Sequence, residues 1–162
     1  MLTGAPSTQW GAVIDAGSSG TRLRLFQWQE PGPSRLPDMR EERPLEERDA
    51  ELLRRRPGLS SFASRPVLAA QQVLGLVQQA RRWVPVELQA LTPLYLKATA
   101  GLRLLPGGQS QAILETLNLV LSNRSLCPFR FAGARIISGE EEALYGWLSI
   151  NALVRRNALF DP

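Results

Sequence analysis

The chain has 162 residues, 44% of them hydrophobic and 21% charged, which suits one domain with a real core and does not suit a disordered segment. It has no histidine and a single cysteine, Cys127. That excludes Ser-His-Asp and Cys-His nucleophilic sites, zinc fingers, HExxH metalloproteases, zinc deaminases and any intrachain disulfide framework. The net charge of +4 comes from 18 arginines and Lys97 set against 15 acidic residues. These basic residues are scattered, and the densest charged stretch, Asp38 to Arg56, interleaves both signs, so it reads as a solvated face and no nucleic-acid partner is expected.

Trp10 to Gly17 (WGAVIDAG) is a short apolar run ending in small residues and predicts a buried strand entering a tight turn. Thr21 to Trp28 alternates, with Leu23 and Leu25 set against Arg22 and Arg24, and predicts a half-buried strand. Only Ser18-Ser19-Gly20 separates the two, so they form a hairpin. Gln29 to Arg56 opens with proline and glycine and continues as the charge run. It is expected to be an exposed insertion with a third strand near its end. Gly58 to Phe62 reads as loop.

Ser64 is placed to cap a helix with Pro66 in its first turn. Val67, Ala70, Val73/Leu74, Val77, Ala80 and Val84 form its apolar stripe. Pro93 to Thr99 predicts a strand with Leu94, Leu96 and Ala98 on one face. Gln109 to Ser122 predicts a second helix through Ile113, Leu114, Leu117, Val120 and Leu121. Gly133 to Ser138 predicts a short strand. Glu140 to Val154 predicts a third helix through Leu144, Trp147/Leu148 and Asn151. The order β–β–β–α–β–α–β–α implies a mixed sheet with parallel strands covered by helices. No apolar run approaches the ~20 residues of a membrane span, and the first residues lack the apolar core of a signal peptide.

Three places can carry chemistry. Asp15-Ala16-Gly17-Ser18-Ser19-Gly20-Thr21-Arg22 is a turn of small and hydroxyl residues that offers successive backbone N–H groups to an anion such as phosphate. Asp15 lies at its mouth, where a carboxylate can hold Mg²⁺ or Ca²⁺ directly or through water. The same residues also make an ordinary β-turn, and they match neither GxxxxGK[ST] nor GxGxxG. Lys97 to Arg103 (KATAGLR) is a strand exit with a hydroxyl at Thr99, small residues at Ala100 and Gly101, and Arg103 just beyond. Such exits are where α/β sheets receive ligands. In Ser138-Gly139-Glu140-Glu141-Glu142, Ser138 and Glu141 fit a capping box. Glu142 lies about 100° round the helix from Glu141, free of that duty, and can take a proton from an attacking water. Asn123-Arg124-Ser125 is a glycosylation sequon, usable if the chain enters the secretory pathway.

Together, IDAGSSGTR (Ile14–Arg22), LKATAGLRLL (Leu96–Leu105) and GARIISGEEEALYGWLSIN (Gly133–Asn151) resemble the first three of five signature regions of the apyrases, the nucleoside triphosphate diphosphohydrolases. PGLSSF (Pro57–Phe62) and TPLYL (Thr92–Leu96) are also similar to that family. The resemblance covers most of residues 10–155, the charged insertion at about 30–56 least. It implies one lobe of the two-lobed actin-like (ribonuclease H-like) ATPase fold shared with sugar kinases and heat-shock chaperones, the second lobe lying outside this sequence. The implied activity is metal-dependent hydrolysis of nucleoside di- and triphosphates, with Mg²⁺ or Ca²⁺ as cofactor.

By the same resemblance Glu142 activates the attacking water, and Asp15 belongs to the metal shell. Gly17, Ser18, Ser19, Gly20, Thr21 and Arg22 form the first phosphate loop, and Thr99, Ala100, Gly101 and Arg103 line the phosphate and water site. Gly20 stands where cell-surface triphosphatases often carry histidine, which is more like the lumenal diphosphatases, and Ala143 replaces a usual glycine. The resemblance also implies a membrane-anchored protein of the cell surface or of the Golgi or endoplasmic reticulum lumen, anchored through segments outside these 162 residues. ISGEEEA (Ile137–Ala143) is similar as well to the exopolyphosphatase/guanosine pentaphosphatase branch of the superfamily. A lobe without its partner is expected to be inactive, and a non-catalytic interaction module is the alternative for such a chain.

Overall fold

The computed structural model describes residues 8–29, 40–42 and 53–158. Strands β1 (Thr8–Ala16) and β2 (Thr21–Gln29) form the expected hairpin, closed by a Gly17 N–H donating to the Gly20 carbonyl at 3.0 Å. The third strand expected in the charged stretch is two short pieces, β3 (Arg40–Glu42) and β4 (Arg54–Arg55), both antiparallel along the outer edge of β2. The end of that insertion is not exposed throughout, since Leu53 is buried in the core beside β4, and residues 30–39 and 43–52 lie outside the described residues.

A single 3-10 turn (Leu59–Phe62) leads into helix α1 (Pro66–Ala80). A one-turn helix α2 (Val86–Gln89) then precedes β5 (Pro93–Ala98). Another, α3 (Ala100–Arg103), follows it. Helix α4 (Gln109–Ser122), β6 (Arg130–Ile136) and α5 (Gly139–Ala158) complete the chain. The sheet order is β3-β2-β1-β5-β6, with β1, β5 and β6 parallel and β4 beside β3 on the β2 edge. The mixed α/β architecture is the one expected, with β4, the 3-10 turn and the one-turn helices α2 and α3 added to the expected order.

Helices α1 and α4 cover one face of the sheet. That face presents Ala12, Ile14, Leu23, Leu25, Leu94 and Leu96 to Val73, Leu76 and Val77 of α1 and to Ile113, Leu117 and Leu121 of α4, all buried. Burying each large side chain is worth ~1.5–3 kcal/mol, which fixes the strand register, since a one-residue slip would turn every one of them outward. Asn118 Oδ1 accepts from the Ala134 N–H at 3.2 Å, where Ala132 and Gly133 together oppose Tyr95 in a bulge of β6. This ties α4 to the strand that carries the last predicted segment.

Four sequence readings change. Arg65, not Ser64, precedes the first turn of α1, and no side chain caps it; Pro66 at the first helical position has no N–H to leave unpaired. Val67 is exposed, while Leu76 and Ala69 fill the stripe instead, and Val84 is buried beyond the helix end. Gly58–Phe62 is not simple loop: Leu59 is fully buried in the main core. The stripe of α5, Leu144, Trp147 and Leu148, is exposed and does not join the buried core. Among those residues no helix is long and apolar enough to cross a membrane.

Candidate functional site

The three predicted segments leave the sheet together at the carboxyl ends of β1, β5 and β6. Thr99 N–H donates to the Ala16 carbonyl at 3.2 Å, and Ile137 N–H donates to Ala98 at 2.9 Å, so the three strand exits are tied edge to edge. Parallel strands require this, because their carboxyl ends point the same way and their loops must crowd at one end of the sheet.

The loop Gly17–Gly20 exposes Ser18 and Ser19 to solvent. Glycines let its neighbours close on it. A Cβ at Gly101 would stand 2.8 Å from Ser18 Cα, one at Gly20 would stand 2.8 Å from the Arg55 carbonyl, and one at Gly58 would overlap the Gly17 and Ser18 carbonyls. The loop is thus held by α3 on one side and by the β4–3-10 connection on the other. Thr21 is placed differently from its neighbours. It is fully buried on the core face of β2, and its hydroxyl accepts from Gln72 Nε2 at 3.5 Å, away from the solvent side of the loop.

Asp15 is half-buried on the opposite, open face of the sheet. Strand register sets Arg22 beside it on β2, Lys97 beside it on β5 and Arg135 next along on β6. The result is a row of three cations and one carboxylate crossing the sheet just below the loop. Single-letter scanning misses this row because its members lie in different strands. The period-2 alternation of each strand is the signal that places them on one face. Lys97 lies with its Nζ 5.6 Å from the centroid of the Tyr95 ring, and desolvation followed by repulsion from Arg135 draws its pKa down.

Arg103 and Glu142 meet. One guanidinium nitrogen of Arg103 donates to the Ile137 carbonyl at 2.7 Å and the other to Glu142 Oε2 at 3.1 Å, with the two side chains 29% and 48% exposed. Arg103 therefore clamps α3 onto the β6–α5 junction and gives the Glu142 carboxylate a fixed neighbour. Its remaining N–H groups stay able to donate to an anion.

Ser138 and Glu141 form the reciprocal cap. Glu141 N–H donates to Ser138 Oγ at 3.1 Å and Ser138 N–H donates to Glu141 Oε2 at 2.9 Å. Arg135 pairs with Glu141 at 2.7 Å and also reaches the Tyr145 hydroxyl. Glu141 is thus absorbed by structure, while Glu142 faces Arg103.

No group of three or more His, Cys, Asp or Glu side chains able to hold a metal ion exists among the described residues. Asp15 alone fits the way Mg²⁺ is commonly held, by one or two carboxylates with phosphate oxygens and water completing the shell.

Residues 1–157 match the family described as GDA1/CD39 (nucleoside phosphatase). The chain belongs to this family. It is 38% identical over 149 residues to ectonucleoside triphosphate diphosphohydrolase 2 of Homo sapiens, covering 92% of this chain and 29% of that protein. It is 34% identical over 146 residues to nucleoside-diphosphatase mig-23 of Caenorhabditis elegans, covering 88% of this chain and 25% of that one. A crystal structure of nucleoside triphosphate hydrolases from Neospora caninum superposes with a TM-score of 0.64 at 22% identity, over 93% of this chain and 32% of that one. The fold is that of an actin-like ATPase lobe, as expected, and the chain spans under a third of the length of these relatives. These relatives are named as nucleoside phosphatases, in keeping with the apyrase resemblance rather than the polyphosphatase one.

Within this GDA1/CD39 lobe the cap has a measurable signature. Hydrogen bonding from Arg135 and then from the Ser138 amide lowers the Glu141 pKa from 4.5 to about 2. A carboxyl depressed in the folded state stabilises the fold above its unfolded pKa, and that contribution is lost as pH falls from about 4.5 to about 2. Glu141→Gln is therefore expected to lower Tm at pH 7, with the gap to wild type closing at about pH 2 and narrowing in high salt. Circular dichroism melts across pH 2–7 measure it. An unchanged gap at low pH would detach the cap from this carboxylate.

Proposed function

We propose that residues 10–155 are one lobe of a metal-dependent phosphatase that hydrolyses nucleoside di- and triphosphates and releases phosphate. The observation that carries this reading is the convergence of Ser18 and Ser19, Arg103 and Glu142 at one end of the sheet, in a chain of the nucleoside phosphatase family. In this reading the amides of Gly17–Gly20, with the Ser18 and Ser19 hydroxyls, hold the phosphate chain, and Arg22 adds charge beside it. The Thr99–Ala100–Gly101 turn lets backbone approach the terminal phosphate closely, and Arg103 orients Glu142 while offering donors to the phosphate. Thr21 contributes through the packing of the loop base.

The Glu142 carboxylate takes a proton from a water. The water oxygen bonds to the terminal phosphorus as the bridging P–O bond breaks, and the shortened nucleotide leaves with the bridging oxygen. Asp15 would hold Mg²⁺ or Ca²⁺, which on binding neutralises phosphate charge. The nucleoside and the second wall of the cleft are held by chain outside residues 1–162, and membrane attachment also resides there. The location that goes with this reading is the cell surface or the Golgi or endoplasmic reticulum lumen, and the word ectonucleoside in the relatives' names supports the first of these.

Phosphate release by the complete protein is expected to vanish in excess chelator and to return with Mg²⁺ or Ca²⁺. Asp15→Ala is expected to raise the half-maximal metal concentration on the order of 10- to 100-fold. A titration of metal against rate, wild type beside Asp15→Ala, measures both. Undiminished hydrolysis in chelator would remove the metal, and with it this role for Asp15.

A further inference from the structure

Helix α4 ends at Ser122, and the chain turns at Asn123-Arg124-Ser125 before entering β6. This turn lies at the end of the sheet away from the phosphate loop. Helix α4 runs 14 residues from the site end to the far end, about 20 Å. Asn123 and Ser125 are both exposed. Asn123 Oδ1 accepts from the Ser125 N–H at 2.9 Å, an Asx turn, and its Nδ2 has no protein partner among the described residues. Arg124 secures the turn from below by donating to the Phe129 carbonyl at 2.8 Å.

Two exposed leucines flank the turn. Leu119, 76% exposed, lies one helical turn before Asn123, and Leu126, 41% exposed, lies just after Ser125. Both present apolar surface to solvent. The chain's single thiol, Cys127, is fully buried beside them, and burial pushes its pKa up, so it is not open to pairing in an oxidising compartment.

We infer that Asn123 is an N-glycan acceptor, modified in the secretory pathway, and that its glycan screens Leu119 and Leu126 from solvent. The donor is a lipid-diphosphate-linked oligosaccharide presented by the pathway's transferase. Asn123 Nδ2 bonds to the anomeric carbon of the first sugar. The bond from that carbon to the diphosphate oxygen breaks, the lipid diphosphate leaves with the electron pair, and Nδ2 loses one proton. Asn123 lies at the end of the sheet opposite the phosphate loop, so a bulky sugar there leaves the cleft open.

The inference rests on the lumenal or extracellular location proposed above, and the test separates the two. The whole chain is expressed in an animal cell behind a cleavable secretory leader, and the product is treated with peptide N-glycosidase in isotopically heavy water. Loss of one glycan's mass and a heavy-labelled Asp at position 123 are expected. Asn123→Gln and Ser125→Ala abolish both, and Ser125→Thr keeps them. Ser125→Ala retains the Ser125 N–H that bonds Asn123 Oδ1, so loss of the glycan in that variant reads the missing hydroxyl and not a broken turn. The glycan-free variants are also expected to scatter more light on concentration. An unmodified Asn123 in the secreted chain overturns the inference. A bare Asn123 in the protein from its own cells, with the leader-directed chain modified, overturns the proposed location and leaves the acceptor site standing.

Discussion

Glu142→Gln in the complete protein is expected to lower kcat on the order of 10²- to 10⁴-fold while KM for the nucleotide changes little. Glutamine keeps the length of the side chain and can still accept a hydrogen bond from Arg103, which lies 3.1 Å from the carboxylate. The loop that would bind phosphate is built by other residues, Gly17–Gly20 and Gly101, so ground-state binding survives. What is lost is the basicity that removes the water's proton, an interaction realised only as the reaction proceeds. Glu141→Gln is the paired control. It loosens the Ser138 cap and the Arg135 pair, and so lowers Tm without an effect of that size on kcat. The split between the two variants decides the assignment, since each removes one carboxylate from the same helical turn. Near-normal turnover by Glu142→Gln would move the role of base to another residue.

The parts of this lobe legible in the sequence are those decided by local pattern. The hairpin was legible because alternation in Thr21–Trp28 and the Ser18–Gly20 break are both short-range, and the β1–β2 register follows from them. Helix α4 runs from Gln109 to Ser122 as its stripe predicts, since Ile113, Leu117 and Leu121 all meet the same sheet face. The misses come from contacts distant in sequence. Leu59 sits among Ser and Gly residues that read as loop, yet it is fully buried, and no window around it contains that fact. Thr21 shares the phosphate loop's sequence but belongs to the core face of β2, because strand alternation begins at that residue. Arg103 reads as a phosphate-site residue by its place after Gly101, and its contacts to the Ile137 carbonyl and Glu142, 34 and 39 residues away, are an addition that no local pattern shows. The row Arg22, Asp15, Lys97 and Arg135 exists only once four strands are in register.

Residues 1–162 alone are expected to hydrolyse nucleotides no faster than a Glu142→Gln copy of themselves. Phosphoryl transfer to water is catalysed mainly by positioning and by charge placed on several sides of the phosphate. In this lobe the Gly17–Gly20 loop, the Thr99–Arg103 turn and Glu142 stand at one end of one sheet, and Ser18, Ser19 and nearly half of Glu142 are open to water. Bulk water around exposed charges weakens their interaction several-fold relative to a closed site. The exposed run on α5, with Leu144, Tyr145, Trp147, Leu148 and Ile150 all solvent-facing, is apolar surface of the kind that a packed neighbour covers. Phosphate release from ATP, ADP, UDP and GDP, with Mg²⁺ or Ca²⁺ and with wild type and Glu142→Gln purified side by side, reads the difference directly. Equal rates place the missing wall of the cleft outside these residues. A clear turnover that Glu142→Gln abolishes would mean that this lobe closes a site by itself, or by pairing α5 with a second copy, and a concentration series of the same assay would tell those two apart because only the paired form gains specific activity as the chain is concentrated.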